Sequence, residues 1–171
     1  MRVPDPAARA ARKARSALRR RRPVTRQDLA RFLSALRGPD RLSTIRAVGD
    51  GAFVFLTLHR RGLRPLLRQR PELPPAEPAV ARRTAEAVDA ALGLLPVAPT
   101  CLRRSVTLLR ELNRRGTNAT LHIGVRSTAG HVEAHAWVQT GDEIINDSPA
   151  VVDTYARIAA GDAGRLLATF S

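Results

Sequence analysis

Residues 99–112 read Pro-Thr-Cys-Leu-Arg-Arg-Ser-Val-Thr-Leu-Leu-Arg-Glu-Leu and contain Cys101, the only cysteine of the chain. Apolar residues recur in this stretch at the spacing of one helical face, and Thr100 is a suitable N-cap. Cys101 is therefore predicted in the first turn of an amphipathic helix, where unpaired N–H groups and the helix dipole favour the nucleophilic thiolate. A small, buried and unreactive thiol is the alternative interpretation.

A nucleophilic cysteine needs a base, and the base needs a group that orients it. His135 lies in Ala-His-Ala-Trp-Val and Asp147 in Asn-Asp-Ser-Pro, on either side of a predicted hairpin turn at Gly141. If the two strands pair about that turn, His135 is opposite or diagonal to Asp147, within reach of its carboxylate. Such an aspartate can accept a hydrogen bond from one imidazole nitrogen and leave the other nitrogen for Cys101. Trp137 shares the strand face of His135 and is predicted either to wall this site or to pack in the core.

Other residues compete for the roles of base and orienting group. His122 and His131 are alternative bases, and His131 is the stronger rival because it lies four residues before His135 on the same strand face. Asp142, in the predicted turn, and Asp153, on a following helix, are alternative orienting groups. The sequence pattern favours His135 and Asp147 without excluding the others.

The composition is that of a folded and strongly basic chain. Its 171 residues are enough for one domain with a real core, and 44% of them are hydrophobic, although aromatic residues make up only 4%. The formal net charge is +14, and much of it lies in an arginine-rich tract that ends at residues 19–22. This tract predicts either an arm for nucleic acid or another anionic surface, or a solvated tail. The absence of interleaved aromatic residues favours the tail.

Nothing in the sequence predicts export, a membrane span or a cofactor. The N-terminal arginines are followed by Pro23-Val24-Thr25 instead of an apolar signal region. The longest apolar run, at 52–58, is far shorter than the roughly 20 residues that a bilayer requires. A single cysteine excludes an internal disulfide and a metal site built from several cysteines. We therefore expect a cytoplasmic protein with no metal, no cofactor and no membrane partner.

The region before this stretch is predicted to be helical. Thr25 and Asp28 mark the start of a first helix, and Gly38-Pro39 marks its end. A second helix is predicted from residue 41 or 43 to His59, and the glycines at 49–51 leave open whether it breaks there. The apolar stripe of the first helix is formed by Leu29, Phe32, Leu33 and Leu36.

After the Cys101 helix the periodicity changes from helical to alternating, which predicts an α+β fold. A helical N-terminal half precedes a small antiparallel sheet, on which the Cys101 helix is expected to pack. The predicted organisation is a basic tail at 1–24, a helical region with a proline-rich linker at 25–78, and a core at 79–171. Within the core, a helix is predicted at 79–95, strands at 119–125, 132–138 and 143–147, a turn at 127–130, and a helix at 150–171 around Val151, Val152, Tyr155 and Ile158.

Five short motifs follow one another between residues 94 and 155: Cys-Leu-Arg-Arg-Ser (101–105), Arg-Arg-Gly (114–116), Ala-Thr-Leu-His-Ile-Gly-Val-Arg (119–126), Ala-His-Ala-Trp-Val (134–138) and Asn-Asp-Ser-Pro (146–149). Together they resemble the leader peptidases of lasso peptide biosynthesis in their split "B2" form, which are members of the transglutaminase-like superfamily of papain-like cysteine proteases. The resemblance implies a papain/transglutaminase-like core with Cys101 as nucleophile, His135 as base and Asp147 as orienting group.

The resemblance also implies a function. The protein would be a cysteine protease that removes the leader from a ribosomally made lasso precursor peptide. Its partners would be the precursor, a separate small leader-binding protein, and a macrolactam synthetase that takes the core peptide next; nucleic acid is not expected as a partner. Two other functions stay open from the residues alone: a transglutaminase-type acyltransferase that passes the thioester to an amine, and a basic nucleic-acid-binding protein with an inert cysteine.

Overall fold

Helices and one small antiparallel sheet make up the structure, a computed structural model that describes residues 22–67, 72–128 and 131–158. The prediction of an α+β fold is confirmed, whereas the predictions for residues 1–21 and 159–171 lie outside the described residues. The helices are α1 (Arg26–Arg37), α2 (Arg41–Arg61), α3 (Pro78–Gly93), α4 (Cys101–Arg114) and α5 (Val151–Thr154), with a 3-10 turn at Arg64–Leu66. The strands are β1 (Thr120–Thr128), β2 (His131–Thr140), β3 (Glu143–Ile144) and β4 (Ala156–Ile158), in the sheet order β3-β2-β1-β4.

The first helix begins where the sequence predicted, at a capping box. The Asp28 backbone N–H donates to Thr25 Oγ1 at 3.1 Å, and the Thr25 backbone N–H donates to the Asp28 carboxylate at 2.9 Å. The predicted apolar stripe is only partly covered, because Leu29 and Leu33 are 49% and 43% exposed whereas Phe32 and Leu36 are half-buried. Instead α1 packs on α3 through buried Asp28, which lies against Gly93.

The capping carboxylate makes the stability of the fold depend on pH. Hydrogen bonds from the Thr25 hydroxyl and backbone N–H, and then the neighbouring Arg22 guanidinium, lower the pKa of Asp28 from 3.8 to about 2. The pKa of Asp28 is lower in the folded protein than in the unfolded chain. Its contribution to the free energy of unfolding is therefore complete above pH 3.8 and is lost as the pH falls through about 2.

We expect the Asp28→Asn variant to lose the decrease in stability that the wild type shows between pH 3.8 and about 2. The measurement is the free energy of unfolding in urea at a series of pH values across that window. Equal pH dependence in the variant and the wild type would contradict the assignment.

The second helix runs without a break through its two glycines. Gly51 is buried against α3, and a Cβ atom there would lie 2.3 Å from the side chain of Leu92. This glycine therefore permits a close helix approach and does not end the helix. Buried Asp50 joins α2 to α4 by accepting hydrogen bonds from Arg110 at 3.2 Å and Arg114 at 2.7 Å.

The core lies mainly between α4 and the sheet. Leucines of α4, including Leu108, Leu109 and Leu112, pack with Ala136 and Val138 of β2. A smaller apolar cluster is shared by α2 and α3. In the described ranges, no helix combines the length and the apolar character that crossing a membrane would need. The predicted division of the chain at residue 78 stays a prediction.

The predicted hairpin register is confirmed, but β3 is shorter than expected. Gln139 pairs with Ile144 and Thr140 with Glu143, as a turn at Gly141 requires. The third strand was predicted over 143–147 and ends at Ile144. The Ile145 N–H still donates to the Val138 carbonyl at 2.9 Å, but the Val138 N–H donates to the Asn146 side chain at 2.8 Å instead of to a backbone carbonyl, and regular pairing ends.

Two further predictions at the sheet were wrong. The first strand continues to Thr128, through the first part of the turn predicted at 127–130. Of the helix predicted at 150–171, the described residues, which end at 158, form helix only at Val151–Thr154, because Tyr155 is extended and β4 then pairs with β1 at Ile123 and Ile158. Cross-strand pairing therefore overrides the helical spacing of the apolar residues.

Candidate active site

Cys101 is the first residue of α4, as the sequence predicted. Thr100 is the extended N-cap, and its hydroxyl accepts a hydrogen bond from the Arg103 backbone N–H at 3.4 Å. The cysteine is partly buried and packs against the main hydrophobic cluster. Its thiol thus lies at the positive end of a helix of 14 residues.

His135 and Asp147 are in contact, as the register predicted. The Nε2 atom of His135 and the Oδ2 atom of Asp147 are hydrogen-bonded, and the two side chains are 25% and 27% exposed. The other carboxylate oxygen of Asp147 accepts the Ser148 backbone N–H at 2.7 Å, which fixes the carboxylate. Nδ1 of His135 is left for a further partner. Among the contacts of the described residues, no hydrogen bond joins His135 to Cys101.

The Arg104 side chain connects Cys101 and Asp147 electrostatically. Its guanidinium makes a two-pronged ion pair with Asp89 of α3, with one bond of 2.7 Å. The Asp89 carboxylate raises the pKa of Arg104, and the negative charges of Asp147 and Cys101 add smaller effects in the same direction. A fixed positive charge therefore lies within electrostatic range of both Cys101 and Asp147.

A buried hydrogen-bond network fastens the first turns of α4 to β2. The Ser105 hydroxyl donates to the Ala136 carbonyl at 2.9 Å and accepts from the Asn146 amide at 2.9 Å. Ser105 lies four residues after Cys101 on the same helix face, and Ala136 is next to His135. The network therefore sets the position of the cysteine turn relative to the histidine strand. The sequence interpretation did not give Ser105 or Asn146 this role.

We expect Ser105→Ala to lower the free energy of unfolding by about 1–2 kcal/mol, because it leaves buried polar groups without their partner. The matched control is Thr107→Val on the same helix. Thr107 is also fully buried, and its hydroxyl has no hydrogen-bond partner among the described residues, so the control should cost little. Urea unfolding of both variants measures the difference, and equal losses would contradict the role of the network.

Aromatic rings flank the imidazole of His135. Trp137 is fully buried on the same strand face, with its ring centroid 6.4 Å from that of His135. The Tyr155 ring also stacks on the His135 imidazole, with the two ring centroids 5.0 Å apart. Trp137 thus has both of the roles considered for it, since it borders the imidazole and is buried. Tyr155 was not predicted at this site because its segment was assigned to a helix. The two rings restrict the orientation of the histidine.

Gly124 of β1 leaves the space that these rings occupy. It pairs with His135 across the sheet, and a Cβ atom would lie 2.8 Å from Tyr155 and 3.0 Å from the Trp137 ring. We expect Gly124→Val to displace the rings and to lower the free energy of unfolding by about 2 kcal/mol. Gly49→Ala is the control, because a Cβ atom on this helical glycine meets nothing within 4 Å and should stabilise the helix. Tryptophan fluorescence and urea unfolding test both; an unchanged Gly124→Val protein would contradict the packing.

The other histidines and aspartates considered as base or orienting group lie in environments different from those of His135 and Asp147. His122 stacks on Trp137 at 5.7 Å, and burial, followed by the charge of Arg157, lowers its pKa. For His131 the structure gives only the backbone, which pairs with Thr128 at the far end of β2. Asp142 and Asp153 are exposed, in the hairpin turn and on α5. Within the described part of the chain, no group of three or more His, Cys, Asp or Glu side chains is arranged to hold a metal ion.

A thiol at a helix start and a histidine–aspartate pair on an adjacent antiparallel sheet are the features described so far. The transglutaminase-like superfamily matches residues 50–160, more than half of the chain, and the chain therefore belongs to that superfamily. The superfamily resemblance predicted from the motifs is confirmed.

A 59-residue stretch is 42% identical to the microcin J25-processing protein McjB of Escherichia coli. This stretch covers 34% of the chain and 27% of McjB, so the similarity spans only about a quarter of that relative. No solved structure matches the chain.

Proposed function

We propose that the protein is a cysteine peptidase that removes the leader from a lasso peptide precursor, with Cys101 as nucleophile, His135 as base and Asp147 as orienting group. The observation that carries the proposal is the His135–Asp147 contact, next to an arginine that interacts with both Asp147 and Cys101. Membership of the superfamily and the partial similarity to a microcin-processing protein support it.

The chemistry is acyl transfer to water. His135 accepts the thiol proton of Cys101 through Nδ1, since Asp147 occupies Nε2 and holds the ring. The thiolate attacks the carbonyl carbon at the leader–core junction and forms a C–S bond. When the C–N bond breaks, the imidazolium gives its proton to the departing core amine. Water then attacks the thioester, His135 takes a proton from it, and the C–S bond breaks to release the leader carboxylate.

The oxyanion of each tetrahedral intermediate needs hydrogen-bond donors. The Cys101 backbone N–H, at the start of α4, points out of the helix and can supply one of them. A donor of this kind contributes on the order of 3 kcal/mol to the stability of a transition state. The helix start thus has two functions in the proposal, since it favours the thiolate and stabilises the oxyanion.

The proposed partners follow from this role. The precursor peptide is the substrate, a separate small protein binds its leader, and a macrolactam synthetase closes the core peptide afterwards. The net charge of +14 fits a leader or partner that carries acidic residues.

The test is cleavage of the precursor, in the presence of the leader-binding protein, in water labelled with heavy oxygen. Mass spectrometry should detect a free core amine and a leader whose new carboxylate contains the labelled oxygen. A product joined to an added amine instead of water would contradict hydrolysis and support an acyltransferase. An intact precursor would contradict both, and salt-sensitive binding of DNA that survives Cys101→Ala would favour a nucleic-acid-binding protein.

A further inference from the structure

The solvent side of α2 carries an apolar row with the spacing of a helix–helix contact. Leu42, Ile45 and Leu56 on this row are 60%, 56% and 44% exposed. The steps between successive members alternate between three and four residues, which is the pattern of helices that pack along a seam. We call this row the α2 seam; its members are Leu42, Ile45, Gly49, Ala52 and Leu56.

The α2 seam is distinct from the face that α2 uses inside the fold. The inner face packs on α3 and α4 through buried Ala47, Asp50 and Val54, among others. A Cβ atom on Gly49 would meet no atom of the described residues within 4 Å, so that part of the chain leaves the centre of the seam open. Small residues at the centre and larger aliphatic ones at both ends form a shallow groove that another helix can approach closely.

Positive charge flanks the seam, and Glu111 of α4 lies within electrostatic range of one of its arginines, Arg46. The acidic residues between 22 and 61 are Asp28, Asp40 and Asp50, and each is paired with an arginine from outside α1 and α2. The arginines on α1 and α2 make no ion pair with the residues that the structure describes, and all are exposed: Arg26, Arg31, Arg37, Arg41, Arg46, Arg60 and Arg61.

We propose that the α2 seam docks an amphipathic helix of a protein partner, with aliphatic residues on its contact face and Asp or Glu beside them. The aliphatic residues would fill the seam, and the acidic ones would pair with Arg41, Arg46 and Arg60 at its flanks. Arginine suits such contacts because its planar guanidinium binds carboxylates in a two-pronged manner. This inference concerns a surface that the proposed catalytic chemistry does not use.

Other occupants match the surface less well. A second copy would bring one arginine-rich face against another, and the tail of residues 1–21 is arginine-rich as well. Residues 159–171 contain one Asp and one Arg and so supply no net negative charge. Nucleic acid would pair with the arginines but would leave the aliphatic seam uncovered. A lipid surface would need the exposed Phe53 to insert, but the Arg110 guanidinium covers its ring at 4.7 Å and is itself bound to Asp50.

The test uses two fluorescent synthetic helices of the length of α2. Both have Leu and Ile at the seam-matching positions; one has Glu at the flanking positions and the other has Lys. Fluorescence anisotropy with the full chain should detect one-to-one binding of the Glu peptide that weakens with salt, and no binding of the Lys peptide. No binding of the Glu peptide, or equal binding of both peptides, would overturn the proposal.

Variants of the chain locate the binding. Ile45→Glu and Leu56→Glu should each weaken binding of the Glu peptide by about tenfold or more, since each places a negative charge in the apolar contact and beside the acidic residues of the peptide. Val132→Glu is the control, because Val132 is 50% exposed on β2, away from the seam. Circular dichroism verifies folding of all three. An equal loss of binding in Val132→Glu would overturn the location of the site. The partner class would be overturned if the Glu peptide did not bind while anionic phosphatidylserine vesicles, DNA or a second copy of the chain bound in a manner that requires Ile45.

Discussion

Cys101→Ser is expected to reduce precursor cleavage by about 10⁴-fold or more, because the proposed mechanism needs an ionised nucleophile and a hydroxyl is much harder to ionise than a thiol. Serine is close to cysteine in size, and the Thr100 cap and the Ser105 network do not involve the sulfur atom. The variant should therefore unfold at the same urea concentration as the wild type. The measurement is single-turnover cleavage followed by mass spectrometry.

The chain allows a clean interpretation of this result. Cys101 is its only cysteine, so no second thiol can take over the reaction. Cleavage by Cys101→Ser at a rate near that of the wild type would contradict the proposed nucleophile. A variant that fails to fold would be recognised by its unfolding curve and replaced by Cys101→Ala.

Asp147→Asn is expected to lower the cleavage rate by about 10²–10⁴-fold while the protein stays folded. An amide cannot stabilise the imidazolium that forms when His135 takes the thiol proton, and it permits the wrong tautomer of the ring. Asp147 is partly exposed, and its replacement by an amide of the same shape leaves the loop after β3 intact.

The matched controls are Asp142→Asn and Asp153→Asn. Both remove one negative charge from an exposed position in the same part of the chain, and neither aspartate contacts His135 among the described residues. Their cleavage rates should stay within about twofold of the wild type. If Asp142→Asn or Asp153→Asn were as slow as Asp147→Asn, the loss would reflect overall charge and not the orientation of the imidazole.

Local patterns in the sequence predicted the elements that depend on local interactions. The capping box of Thr25 and Asp28 and the N-cap of Thr100 are made within one helical turn, so the residue types alone indicate them. The contact of His135 with Asp147 could also be predicted from the sequence, because the turn at Gly141 fixes which residues of the two chain segments are opposite.

The features that the sequence did not reveal depend on distant segments. Tyr155 reaches the imidazole because β4 pairs with β1, and the spacing of the apolar residues around it is equally that of a helix. Asn146 ends β3 because its side chain accepts the Val138 backbone N–H and donates to Ser105, a residue far away in the chain. The glycines at positions 49 and 51 left open whether the helix breaks, whereas Gly51 in fact makes room for the side chain of Leu92 on another helix.

The exposure of apolar residues on α1 and α2 could not be predicted from the sequence either. A stripe such as Leu29 and Leu33 normally indicates the buried face of a helix. Here the buried contact of α1 is made by Asp28, a charged residue whose hydrogen bonds with Thr25 and Arg22 compensate its burial. Periodicity therefore located the helix and its apolar side but not the neighbour on which it packs.

The most direct test of the central claim is the rate at which iodoacetamide alkylates Cys101 at mildly acidic pH, in the wild type and in His135→Ala. A thiolate stabilised by a neighbouring imidazolium reacts under these conditions, whereas an ordinary thiol stays protonated and unreactive. Mass spectrometry of the intact chain counts the modified molecules without ambiguity, since only one cysteine is present. The proposal predicts fast alkylation of the wild type and a large decrease in His135→Ala. Slow alkylation that is equal in both proteins would contradict the pairing of Cys101 with His135, and with it the assignment as a cysteine peptidase.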